Sequence, residues 1–136
     1  MRIVFALMVI GVMMVNGVKV YEEDFPHITS EMFQRDVIEA SRVAPVFVEW
    51  RMEACAPCKV LEKRLHALTQ ETGARIVAVD LDLEWRLGEE WGVVFAPTLQ
   101  AYAGGELVGG FQGLRGDAEI LDLFSLAASS FLGTPE

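Results

Sequence analysis

Apolar and polar positions along this chain follow two periods, and the places where one gives way to the other mark out the elements. Val46-Phe47-Val48 is a short apolar run of the kind a buried strand carries. Val60, Leu61, Leu65 and Leu68 then recur at helical spacing as far as Gly73, a helix stop. Upstream, Phe33, Val37, Ile38 and Ser41 share one side of a helix that starts at Thr29 or Ser30 and is closed by Pro45. Downstream, Arg75 to Leu81 reads as a strand. With a helix between them, the two strands make a βαβ unit, hence parallel and right-handed. A short helix around Glu84 to Trp91 ends at Gly92, and the apolar run Val93 to Tyr102 is interrupted by Pro97. Proline has no N–H to give a ladder, so Pro97 begins the next strand rather than sitting inside it. Gly104-Gly105 signals a hairpin from which Glu106 to Phe111 returns antiparallel. After a loop at Gly113 to Gly116, Asp117 caps a last helix with Ile120, Leu121, Phe124, Ala127, Ala128 and Phe131 on its buried side.

The N-terminus has a different texture. Met1-Arg2 is followed by Ile3 to Val15 without a charged or polar side chain, then by Asn16-Gly17. A positive start, an apolar middle and small residues at the end describe a secretory signal, residues 1–17, with cleavage after Gly17. The uncharged run Ile3 to Val18 is 16 residues, slightly short of a span, so an uncleaved membrane anchor or a buried element are the other readings. Export would put the protein in a periplasmic or other extracytoplasmic, oxidising compartment. Residues 18–28 form a lead-in, with a short edge strand at Val18 to Tyr21, a solvated turn at Glu22-Glu23-Asp24 and His27 in an exposed loop. The rest, 29–136, is one domain, since neither repeat nor linker divides it. Its net charge of −9 and pI near 4.7 argue against a nucleic-acid partner, because no basic patch is available for phosphates.

The chain's two cysteines stand where the first strand pattern turns helical. The first turn of a helix offers unpaired N–H groups and the positive end of the macrodipole, which favour a thiolate. Cys55 should therefore be the nucleophile, with Cys58, one turn further, placed to attack a mixed disulfide formed at Cys55. Pro57 suits the first turn and stiffens the segment between the sulfurs. Two plainer readings compete. A structural disulfide closing so short a loop recovers only about 2 kcal/mol, and half a zinc site would need further ligands, for which His27 and His66 are not suitably spaced.

At this point the chain resembles the thioredoxin family over roughly residues 29 to 132. The markers are Glu49 six residues before the first cysteine, Cys55-Ala56-Pro57-Cys58-Lys59, Asp80-Leu81-Asp82, Trp91-Gly92-Val93, Ala96-Pro97-Thr98, and Gly104-Gly105-Glu106-Leu107-Val108 with Gly113 eight residues after Gly105. The resemblance implies an α/β thioredoxin fold, a central mixed sheet of four to five strands flanked by helices. It also implies that Pro97 is a cis proline lying against the dithiol and that Ala96 pairs its backbone with the substrate's. Thr98, Ala56 and Pro57 would complete the substrate-binding surface, and Glu49 would be a buried acid relaying a proton to and from Cys58, although its position alone fits a strand-end surface residue equally well. Four departures stand out. Glu49 replaces the usual aspartate, Ala54 a tryptophan and Arg51 a second aromatic; Ala78 replaces a lysine near the buried acid. These changes strip the apolar rim, leave Glu49 without a counter-charge and put a cation near Cys55: an Arg51 folded toward that sulfur would lower its pKa further, and the other reading is a solvated Arg51.

The leading functional expectation is an extracytoplasmic thiol–disulfide oxidoreductase that reduces protein disulfides, working without a cofactor or metal, as a monomer, and recharged by a membrane thiol-electron donor. Ala56-Pro57 resembles the Gly-Pro of reducing thioredoxins and lacks the histidine of oxidising relatives. The alternatives are a disulfide-forming oxidase, and a non-enzymatic chaperone or copper-binding module using the cysteines as soft ligands.

Overall fold

The computed structural model describes residues 25–133 in full and, before them, the backbone of two strands, β1 (Val12–Val15) and β2 (Val18–Tyr21). These two pair antiparallel in a sheet of their own, so the strand expected at Val18 to Tyr21 exists but has Val12–Val15 as its neighbour. The remainder of the expected leader, its cleavage point after Gly17, the Glu22-Glu23-Asp24 turn and residues 134–136 lie outside the described residues. Among the described residues no helix is long and apolar enough to cross a membrane.

The main sheet holds β3 (Val46–Arg51), β4 (Arg75–Asp80), β5 (Thr98–Ala103) and β6 (Glu106–Gln112) in the order β4-β3-β5-β6. β3 and β4 are parallel, joined across the sheet by α2 (Ala56–Thr72), while β5 and β6 return antiparallel. β3 outruns its apolar core because alternation carries Glu49 and Arg51 to a sheltered face. Beyond β4 the lead-in adds a single parallel bridge, His27 to Ala78. There the Ile28 N–H donates to the Ala78 carbonyl at 2.9 Å and the Ala78 N–H to that of Pro26 at 2.8 Å. His27 is exposed, as expected, yet its backbone occupies the place of a fifth strand.

Each face of the sheet has its own core. Against α2 and α4 (Asp117–Leu132) lie Phe47, Leu61, Leu65, Leu99, Ile120 and Phe124. On the other face α1 (Ser30–Phe33), its continuation and α3 (Trp85–Glu90) cover Val48, Trp50, Val79 and Tyr102. That continuation is irregular, π-helical over Gln34–Glu39 and 3-10 over Ala40–Arg42, but it still buries Val37, Ile38 and Ser41. Ser41 ends it usefully. Its hydroxyl donates to the Ile38 carbonyl at 2.7 Å and accepts the Gly105 N–H at 3.0 Å, pinning the β5–β6 turn, where Gly104 and Gly105 hold φ of 63° and 85°.

Some helix details differ from the sequence reading. Val60 is exposed on α2; on α4, Leu121 and Ala128 are exposed and Leu123 is buried instead. Gly116, not Asp117, caps α4. Asp117 is already in the first turn, where its charge complements the helix end.

Candidate active site

Strand alternation sends Phe47, Glu49 and Arg51 to the α2 side of β3. Beyond Arg51 the chain crosses a short loop to Cys55, which has extended backbone (φ −143°, ψ 95°) and caps α2. The Cys58 N–H donates to Cys55 Sγ at 3.2 Å, so one of the donors that the first turn leaves without a backbone acceptor points at the outer sulfur. The two sulfurs are bonded and the Cα atoms are 5.3 Å apart, so the structure shows the oxidised state. Exposure divides the pair. Cys55 is partly exposed with Ala56 and Pro57 open beside it, whereas Cys58 is fully buried. An incoming disulfide can reach only the outer sulfur.

Several expected markers prove to be braces for this loop. The Leu81 N–H donates to the Arg51 carbonyl at 2.8 Å. Asp80 Oδ1 accepts the Asp82 N–H at 2.8 Å, and Asp82 Oδ2 accepts the Glu53 N–H at 3.3 Å. Asp80-Leu81-Asp82 thus ties the turn after β4 to the approach to Cys55. On β5, Thr98 pairs with Trp50, which brings Pro97 opposite Arg51 at the edge where the chain leaves for Cys55. The Ala96–Pro97 bond is cis, and Pro97 is buried while Ala96 is partly exposed. Gly113, at φ 82°, donates its N–H to the Pro97 carbonyl at 2.7 Å. Thr98 turns its hydroxyl inward to the Phe95 carbonyl at 2.7 Å, so its side chain shapes the loop and leaves Ala96 at the surface.

Beneath the cysteines Glu49 is fully buried, both carboxylate oxygens out of reach of solvent, with Ala78 and Leu99 beside it in register. Arg51 corrects the sequence reading. Rather than being solvated it is 8% exposed, and its Nε donates to Glu62 Oε2 at 2.8 Å, with Glu53 Oε2 3.9 Å from Nη1. Burial, the largest influence, pulls the guanidinium pKa down; the Glu62 hydrogen bond and the charges of Glu62, Glu49 and Glu53 outweigh it and hold it above the ordinary arginine range. Glu49 therefore has a cation close by, supplied from its own strand rather than from position 78. Two clues pointed to this: position 51 shares the inward parity of Phe47, and Glu62 lies one helical turn past Cys58 on the side facing the sheet.

Ala54 is exposed beside Cys55. The segments that follow β4 and precede β5 lie at the same edge of the sheet as Cys55, and they expose Leu83 (75%), Trp85 at the start of α3, Val94 (79%) and Phe95, with Met52 in the cysteine loop itself. Their spacing carries no period that would mark them. Among the described residues no group of three or more His, Cys, Asp or Glu is placed to hold a metal ion.

Because one sulfur is partly exposed at a helix mouth and its bonded partner is buried, the pair can pass its bond to and from another disulfide, which is the chemistry of a thiol–disulfide oxidoreductase. Residues 24–125 match the Thioredoxin family model. The chain is 32% identical over 96 residues to a thioredoxin of Streptomyces clavuligerus, covering 70% of this chain and 88% of that one. It is 30% identical over 109 residues to a probable thioredoxin-2 of Caenorhabditis elegans, covering 79% and 71%. Among solved structures, a mutant thioredoxin from Halobacterium salinarum NRC-1 superposes with a TM-score of 0.68 at 26% identity, covering 78% of this chain and 92% of that one. The chain belongs to the thioredoxin family.

Proposed function

We propose that this protein reduces disulfide bonds in other proteins outside the cytoplasm. The observation that carries the chemistry is the asymmetric pair, an outer Cys55 sulfur receiving the Cys58 N–H and an inner Cys58 above Glu49. In the reduced form the Cys55 thiolate attacks a substrate disulfide, forming one S–S bond and releasing one substrate thiolate, which takes a proton. Cys58 then gives its proton to Glu49 and attacks Cys55 Sγ, releasing the second substrate thiolate. Two electrons pass to the substrate, and the Cys55–Cys58 disulfide remains. Ala96, with a free surface beside cis-Pro97, offers backbone to the substrate chain, and Ala56 and Pro57 line its approach. The apolar rim of Met52, Leu83, Trp85, Val94 and Phe95 favours substrates whose disulfides lie in exposed apolar segments.

Two features support the direction and the place. No histidine stands between the cysteines to stabilise the reduced thiolate, and the stretch Met1 to Gly17 has the composition of an export leader. Turnover in an oxidising compartment then draws electrons from a membrane-bound dithiol, with this protein acting as a monomer. The reduction potential tests the direction. Reducing and oxidising members of this chemistry differ by about 150 mV, equivalent to about 7 kcal/mol, so a value at the oxidising end overturns the reductase reading. Cys58→Ala should accumulate mixed disulfides at Cys55 and so identify the substrates, whereas Cys55→Ser should abolish insulin reduction.

A further inference from the structure

We propose that Arg51 is a positioning residue for the exchange: clamped to Glu62 of α2 and two residues from Glu49 on the same face of β3, it keeps a permanent positive charge under the dithiol and sets the pH at which Glu49 and Cys58 trade their proton. This rests on the reading of Glu49 as the proton acceptor. The geometry places three ionisable side chains, Glu49, Arg51 and Glu62, in one buried layer. Residues two apart on a strand stand about 7 Å from each other on one face, within reach of a guanidinium and a glutamate. Glu62 lies one turn beyond Cys58 on α2, so the 2.8 Å Arg51–Glu62 bond ties β3 to the helix that carries the resolving thiol.

The groups around this layer are few. β3 contributes Glu49 and Arg51, and α2 contributes Cys58 and Glu62. β4 presents Asp80 in register with Arg51 and Ala78 in register with Glu49, and Leu99 faces Glu49 from β5. The buried residues of α4 are apolar (Ile120, Leu123, Phe124, Ala127), and the loop adds Glu53. Among these described groups Arg51 is the one cation amid four acids. A cation beside a buried carboxylate or thiol favours the charged form, while Glu62, held against the same cation, offsets part of that effect. Stability alone does not call for such a pair, because two well-packed apolar side chains serve as well in a buried position. The charge itself is the feature to explain.

The experiment is a 13C NMR titration of the reduced protein, following the Glu49 carboxyl and the Cys55 and Cys58 Cβ resonances, with a thermal melt of each variant to verify folding. The Arg51→Leu/Glu62→Leu double variant keeps an apolar contact and removes both charges. Its Glu49 and Cys58 midpoints should rise by about one pH unit, slowing resolution near neutral pH by about tenfold. Glu62→Gln keeps the shape and removes only the offsetting acid, so it should move the same midpoints downward. Arg51→Lys should retain most of the wild-type profile. Superimposable profiles in folded double variant and wild type, or an upward shift in Glu62→Gln, would overturn the proposal and leave the pair a packing contact. If the double variant does not fold, the sign of the Glu62→Gln shift decides. Failure of the reductase reading is separate, since it would show as an oxidising potential or inactive wild type while these midpoints still moved.

Discussion

Gln100 accepts the Trp50 indole N–H at 2.9 Å and the Tyr102 hydroxyl at 2.7 Å on one oxygen, and donates its Nε2 to the Trp91 carbonyl at 3.1 Å. Gln100→Leu leaves two buried donors without an acceptor and should cost about 2 kcal/mol or more, read as a lower urea midpoint with an unchanged slope. Gly88 is constrained by space. A Cβ there would stand 2.7 Å from Leu81 Cδ2 and from the Val93 carbonyl oxygen, so Gly88→Ala should destabilise by about 1–3 kcal/mol in the same measurement. At this scale the sequence was legible wherever a residue's chemistry is rare. The roles of Pro97 and Glu49 were legible only through the resemblance to a family, whereas Cys55 and Cys58 stood out because a dithiol at a strand-to-helix turn has few ordinary uses. Gln100 did not, since a polar residue inside Leu99 to Tyr102 reads as the solvent half of an alternating strand, and only the packing of α1 and α3 over it shows that this face is a core.

The βαβ unit, the glycine stops and the β5–β6 hairpin could be placed from periodicity, because each is encoded by residues close in sequence. Where α2 meets β3, the pattern fell short. Two charged residues eleven positions apart become a buried pair only once helix and strand are stacked. Removing one partner strands the other, and Glu62→Ala should lower stability by about 3 kcal/mol, against a much smaller loss for the apolar double replacement. Opening the disulfide is the milder change. Its loop is so short that reduction should remove at most about 2 kcal/mol, leaving a single cooperative melt with and without reductant. The π-helical stretch Gln34–Glu39 has no sequence signature, because Phe33, Val37, Ile38 and Ser41 fit an α-helical stripe just as well.

For the molecule as a whole, burial of Tyr102 carries a pH prediction. Burial raises its pKa above the ordinary 10.0, so the folded protein keeps a proton that the unfolded chain gives up. Its contribution is complete below pH 10.0 and is lost as pH rises beyond it, and the melting temperature should fall on that side more steeply in wild type than in Tyr102→Phe. The sequence by itself determined the succession of strands and helices from β3 onward, the Cys-X-X-Cys pair at the start of a helix, and the family, because these depend on spacing and on residues with little other employment. Tertiary structure alone decided that Arg51 is buried against Glu62, that Leu83, Trp85, Val94 and Phe95 stand exposed at the edge of the sheet that carries Cys55, and that the lead-in bridges to β4 at His27. Each of these joins positions distant along the chain, and no local period records which surfaces will meet when the sheet is covered.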